Sequence, residues 1–244
     1  MEARSLADQI EARLRAVGTR HRAEGEKRYL KSDLEFVGAM VSDIRAVVRE
    51  LAPARMEHDE LVAAATELWE PPIHERRTAA VFLLARFARQ LRTDDLHMIE
   101  RLARESRTWA LLDYLAVDVL GPLVEGDPDG LRHPLDRWSA DPDFWVRRAS
   151  LLAELRPIRR GEPMDRFLQR AERMIEEREF FIRKAIGWVL REAGKRHPHE
   201  VVAWLAPRTH RASGVTMREA VKYLPPEDRE RLMRAYREKQ PAEH

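Results

Sequence analysis

The sequence predicts an all-α protein, a HEAT-like α-α superhelix of stacked helix pairs with a concave basic face. Three observations carry that expectation. Ile73, Trp109, Trp145, Phe181 and Met217 follow one another at intervals of 36 residues. The blocks around them align as well, Trp145-Val146-Arg147-Arg148-Ala149 over Phe181-Ile182-Arg183-Lys184-Ala185, with Trp109 to Asp113 over both. Apolar residues recur at helical spacing nearly end to end, and no segment alternates as a half-buried strand would. Repeats of roughly 35 to 45 residues built from paired helices stack into solenoids, in which neighbouring units share one core.

Taken in order, the periodicity predicts helices over 4–17, 42–52, 58–70, 74–91, 94–105, 108–123, 130–139, 143–156, 163–177, 180–196, 198–205, 216–223 and 226–238. Start signals support several of them. Thr216-Met217-Arg218-Glu219 has capping-box spacing, Thr93-Asp94 and Asp143 are N-cap residues by type, and Pro72, Pro163 and Pro198 suit first-turn positions. Gly126-Asp127-Pro128-Asp129-Gly130 and the stretch from Pro157 to Pro163 read as inter-helix loops. A single domain over 1–244 is expected, with a polar tail from about Glu238.

Composition narrows the function classes. A chain of 244 residues with 44% apolar content can bury a substantial core. No apolar run is long enough for a membrane span, and the start, Met1-Glu2-Ala3-Arg4, lacks the apolar stretch of a signal peptide. The absence of cysteine excludes disulfides, thiolate metal sites and thiol nucleophiles, and a cytoplasmic monomer without metal or cofactor is expected. The net charge of +2 hides an asymmetry: residues 1–140 carry 21 Lys+Arg against 25 Asp+Glu, and residues 141–222 carry 18 against 12. A basic second half suits a phosphate-binding surface, although solvated helix faces give the same sum.

In the repeat frame Ile182, Ala185, Ile186, Val189 and Leu190 form one apolar stripe that faces the core. Beside it fall Trp109 and Asp113, Trp145 and Arg148, and Lys184 and Trp188, which stacking would gather on a shared surface. Trp109 and Asp113 are four apart, so their side chains meet on one helix. A tryptophan at helical spacing is more often core than platform, and Trp69, Trp138 and Trp204 are read as core or rim. Arg148 and Lys184 could equally be salt-bridge partners. A carboxylate beside an indole, facing cations, is nevertheless a poor design for stability alone, because its desolvation is unfavourable until something positive arrives.

These residues resemble a known family. The segments Lys27 to Lys31, Glu67-Leu68-Trp69, Trp109 to Asp113, Trp145 to Leu152, Phe180 to Glu192 and Arg218 to Lys222 resemble the bacterial HEAT-like DNA alkylation repair glycosylases of the AlkD family, over about residues 27–224. The run around Gly187-Trp188 is the most specific. The resemblance implies a monofunctional glycosylase that excises N3- or N7-alkylated purines, such as 3-methyladenine and 7-methylguanine, from duplex DNA in base excision repair. It implies that Asp113, Trp109 and Trp188 surround the lesion nucleotide and that Arg148 holds the backbone. Tyr29 matches a family tyrosine near the lesion, and Lys184, Arg183, Arg191 and Lys222 complete the expected DNA contacts. Family members often carry a second tryptophan and an extra aspartate around the first motif, where this chain has Thr108 and Ala110. Two other readings stay open: a non-catalytic HEAT-repeat protein that binds distorted or branched DNA, which would keep the basic face and lose the carboxylate–indole set, and a protein-binding scaffold with exposed apolar patches.

Overall fold

The computed structural model describes residues 5–238. Arg4, where the first helix is expected to begin, and the expected polar tail past Glu238 lie outside the described residues. Every regular element among the described residues is helical, and the one strand-like pairing is an isolated bridge between Glu35 and Ile73. The chain is all-α. It divides into two compact units, Met1–Leu123 and Val124–His244.

The first unit contains α1 (Leu6–Val17), α2 (Arg20–Leu30), α3 (Val41–Leu51), α4 (His58–Trp69), α5 (His74–Arg86), α6 (Leu96–Ser106) and α7 (Trp109–Tyr114). Helix α5 is its hub and packs on α1, α3, α4 and α7. Its face toward each neighbour is apolar, so Ala79 to Leu84 are all buried. Glu75, buried on the same helix, accepts hydrogen bonds from the backbone N–H groups of Val37 (3.0 Å) and Gly38 (2.6 Å) and so ties the segment before α3 to the core. Gly38 has φ +78°, and a Cβ there would lie 2.1 Å from the Thr19 carbonyl oxygen, so the tie admits only glycine.

Helix α2 was not expected from the sequence. It buries no residue and offers no apolar stripe for periodicity to detect. Local contacts hold it: Thr19 caps its start, and the pairs Arg20–Glu24 (2.8 Å) and Arg22–Glu26 (2.5 Å) span single turns.

The expected helix 108–123 is present with a change of pitch. α7 passes into a π-helical segment, Leu115–Leu120, and then into α8 (Gly121–Gly126), within which the boundary between the units falls. Pro122 supplies the reason. It has no N–H to give to the preceding turn, and the wider pitch ahead of it, with the Gly121 N–H reaching Ala116 O, accommodates its ring.

The second unit continues with α9 (Arg132–Trp138), α10 (Phe144–Leu152), α11 (Leu155–Arg160), α12 (Asp165–Met174), α13 (Phe180–Ala193), α14 (Pro198–Leu205), α15 (Gly214–Ala220) and α16 (Pro226–Glu238). Asp143 caps α10 as expected, its carboxylate accepting the Trp145 N–H at 2.8 Å, and Pro198 opens α14. The loop expected from Pro157 is instead helix α11, in which Pro157 occupies the first turn, where its missing N–H has no intrahelical partner to lose. Pro72 and Pro163 stand just ahead of their helices. The α15 cap is Ser213, whose hydroxyl accepts the Thr216 N–H at 3.1 Å, so Thr216 lies inside the helix and caps nothing.

The repeat period reappears in the polar contacts. In the first unit Trp69 Nε1 donates to Glu105 (2.6 Å, 36 residues apart), Gly38 N–H to Glu75 (37 apart), and Arg86 Nη1 to the Arg49 carbonyl (2.9 Å, 37 apart). In the second, Arg196 Nε donates to the Arg159 carbonyl (2.7 Å, 37 apart) and Lys184 pairs with Glu219 (2.7 Å, 35 apart). Each bond ties a helix, or the segment adjoining it, to its equivalent one repeat later, as nearest-neighbour stacking requires. Ile182, Ala185, Ile186, Val189 and Leu190 are fully buried, and Trp69, Trp138 and Trp204 are core, as their spacing predicts.

Candidate nucleic-acid interface

In the first unit the chain leaves α6 through Arg107 in the left-handed conformation (φ +45°) and enters α7 at once, with the Thr108 hydroxyl accepting the Ala110 N–H at 3.4 Å. That cap fixes Trp109 as the first helical residue. Trp109 stays exposed (37%), and Asp113, half-buried, follows one turn later on the same helix. Tyr29, at the last turn of α2 and 73% exposed, meets the Trp109 ring edge-on at 6.2 Å. Two solvent-facing aromatics in contact beside a carboxylate gain little for the core. Both rings stay open to solvent at the end of α2 and the start of α7.

In the second unit α15 lies tightly against α13 at Gly187. A Cβ added to Gly187 would come within 2.7 Å of the Glu219 Cβ and 3.0 Å of the Thr216 carbonyl oxygen, so glycine permits the approach. The approach sets the Glu219 carboxylate among three cations, Lys184 Nζ at 2.7 Å, Arg191 Nη1 at 2.5 Å and Lys222 Nζ at 2.8 Å. Burial pushes the Glu219 carboxyl up, but the ammonium groups of Lys184 and Lys222 outweigh it and hold the pKa at about 2. Three cations around one carboxylate leave a net charge of about +2 on this face. Trp188, beside Gly187, is half-buried.

Three expected site residues are placed differently from the shared surface. Arg148 is 3% exposed and donates Nη1 to the Phe181 carbonyl at 2.5 Å, binding α10 to α13 across a repeat boundary. Its burial and this bond to the start of α13 make it a packing residue here, not an exposed phosphate ligand. Trp145 is likewise buried, 4.9 Å from the Phe181 ring and 4.5 Å from Phe144, so the aromatic repeat position forms a stack between repeats. Arg183 turns back to the Glu177 carbonyl (2.6 Å) and fastens the loop before α13. Sequence reasoning singled out the three cations and missed Glu219, which gathers them. The available signal was its spacing, 35 residues after Lys184.

The DNA alkylation repair enzyme family model matches residues 10–224. The chain belongs to that family. Among solved structures, one titled a predicted DNA alkylation repair enzyme from Enterococcus faecalis is similar at 20% identity and a TM-score of 0.75, covering 86% of this chain and 97% of that one. AlkD2 from Streptococcus mutans is similar at 15% identity and a TM-score of 0.61, covering 83% of this chain and 99% of its own. At those identities the likeness establishes the fold. No curated protein matches the chain.

Within this DNA alkylation repair family member, the departure at Thr108 acquires a structural account: the position is the N-cap of α7, and threonine serves it by hydrogen bonding. Among the described residues no helix is long and apolar enough to cross a membrane, and no group of three or more His, Asp or Glu could hold a metal ion.

Proposed function

We propose that the protein is a monofunctional DNA glycosylase that releases N3- or N7-alkylated purines, such as 3-methyladenine and 7-methylguanine, from duplex DNA. The observation that carries this reading is the exposed Tyr29–Trp109 pair one helical turn from Asp113. Alkylation at N3 or N7 leaves the purine positively charged, so the base departs without an obligatory general acid. The sugar left behind has oxocarbenium character. A fixed carboxylate stabilises that charge as it develops and orients the attacking water, as in glycoside hydrolysis. The Trp109 and Tyr29 rings attract the cationic nucleotide through their faces. In the second unit Trp188 offers an aromatic face to the DNA, and Lys184, Arg191 and Lys222 bind backbone phosphates.

Incubation of the protein with methylated duplex DNA, followed by chromatography of released bases, tests the reading directly. Asp113→Asn is expected to retain most DNA affinity and to lower base release by about a hundredfold or more, the usual cost of one preorganised electrostatic stabiliser. Near-wild-type excision by that variant would remove Asp113 from the mechanism.

A further inference from the structure

A cavity of about 310 Å³ in the first unit is lined by Lys31, Asp33, Pro72, Arg77, Glu105 and Arg107 among others. Three cations converge on it, and among the described residues neither Lys31 nor Arg107 has an acidic partner within ion-pair distance, whereas arginines elsewhere on the same helices are paired, Arg22 with Glu26 and Arg104 with Glu100. Both side chains are exposed, and both residues are helix C-caps in the left-handed conformation, Lys31 after α2 (φ 49°) and Arg107 after α6 (φ 45°). Glycine or asparagine usually fills that position, and other side chains there are strained by about 1 kcal/mol. The third cation, Arg77, is fixed: Nε donates to the Trp69 carbonyl (3.0 Å), Nη1 to the Glu105 carbonyl (3.0 Å), and the guanidinium lies over the Trp69 ring at 4.9 Å. Burial and the neighbouring Arg107 charge press the Arg77 pKa downward against Glu105, which an incoming anion would relieve. Of the two acids, Glu105 is engaged by the Trp69 indole N–H at 2.6 Å, and Asp33 is exposed.

The position of these cations in the chain gives the cavity its meaning. Lys31 stands two residues after Tyr29, and Arg107 two residues before Trp109, so the two strained caps flank the two rings that touch. We infer that this cavity is a seat for a DNA backbone phosphate adjoining the nucleotide held on the Tyr29–Trp109 platform, with Lys31 and Arg107 as its ligands and Arg77 as its fixed floor. The inference rests on the glycosylase reading, since it names the phosphate contact of that same platform.

Lys31→Asn and Arg107→Asn test it, because asparagine tolerates the left-handed conformation and removes only the charge. The readout is the slope of log affinity against log salt for duplex DNA, with thermal melting to confirm the fold. Each substitution is expected to lower the slope by about one unit and the pair by about two, with melting unchanged or raised. An unchanged slope in a folded double variant, while wild type still releases alkylated bases, overturns the phosphate seat and leaves the glycosylase reading intact. Wild type that binds duplex but releases no base overturns the glycosylase reading, and the slope still reports on the seat. Equal loss of affinity for inorganic phosphate and for duplex, with no change in the DNA slope, would reduce the cavity to a free-anion site and overturn the seat as well.

Discussion

His74 and Glu219 are the residues whose charge the fold alters most legibly, and both predict instability in acid. Burial holds the His74 pKa at about 4, its ring stacked on Phe36 at 4.7 Å. The unfolded chain therefore binds a proton between about pH 6.5 and 4 that the native state refuses, and stability falls as pH drops through that window. Glu219, at about 2, is fully stabilising above the usual carboxylate range and loses its contribution as pH falls from about 4.5 toward 2. Denaturant melts from pH 7 to 3 are expected to show two successive losses, of which His74→Phe removes the first and Glu219→Gln the second. A wild-type stability flat from pH 7 to 4 would contradict the burial assigned to His74. Asp113 shows what was legible at this scale. Its spacing from Trp109 placed both on one helix, whereas the contact with Tyr29 spans 80 residues and no local pattern encodes it.

At the scale of elements, legibility followed apolar periodicity. The α13 stripe from Ile182 to Leu190 was readable because every inward position is apolar, while α2 was invisible because it buries nothing and stands on caps and single-turn ion pairs. The break between α10 and α11 was hidden because Leu151, Leu152 and Leu155 keep helical spacing across it. That junction carries a buried ionic tie: Arg170 of α12, fully buried, bridges Glu154 (2.6 Å) and Asp136 of α9 (2.9 Å). Arg170→Ala leaves Glu154 buried without its partner and is expected to destabilise the protein by about 3–5 kcal/mol, read by chemical denaturation. Arg170→Met in a Glu154→Gln background restores a neutral interior and is expected to recover much of that loss. Gly187→Ala is a second test of element packing. Alanine would favour α13 by about 1 kcal/mol on propensity alone, yet its Cβ meets Glu219 and Thr216, so a net loss of stability is expected.

Across the whole molecule, the sum of charges and their availability diverge. The excess of +6 over residues 141–222 suggested a broad basic face. The structure shows many of those arginines engaged with neighbours one repeat away, Arg208 and Arg211 with Glu172, Arg159 with Glu192 and Arg147 with Glu177. Composition could not reveal this, because a cation paired across a repeat boundary counts the same as one facing solvent. Phosphate binding should therefore depend on few groups: the trio around Glu219 in the second unit, and Lys31 and Arg107 in the first. Glu219 cancels one of the trio's three charges, and counterion release gives about 0.9 units of slope per phosphate neutralised, so a total of about three to four is expected and not the dozen or more that the basic count would allow. Within the trio, Glu219 occupies the cations as a phosphate oxygen would. Glu219→Gln frees one charge, and binding to undamaged duplex at low salt is expected to tighten while the slope steepens by about one unit. The same variant should melt at a lower temperature than wild type, since Lys184, Arg191 and Lys222 then repel one another without a central anion. Tighter DNA binding from a less stable protein identifies the trio as DNA-facing. Lower stability with DNA affinity and slope unmoved would make the cluster a purely structural tie between α13 and α15.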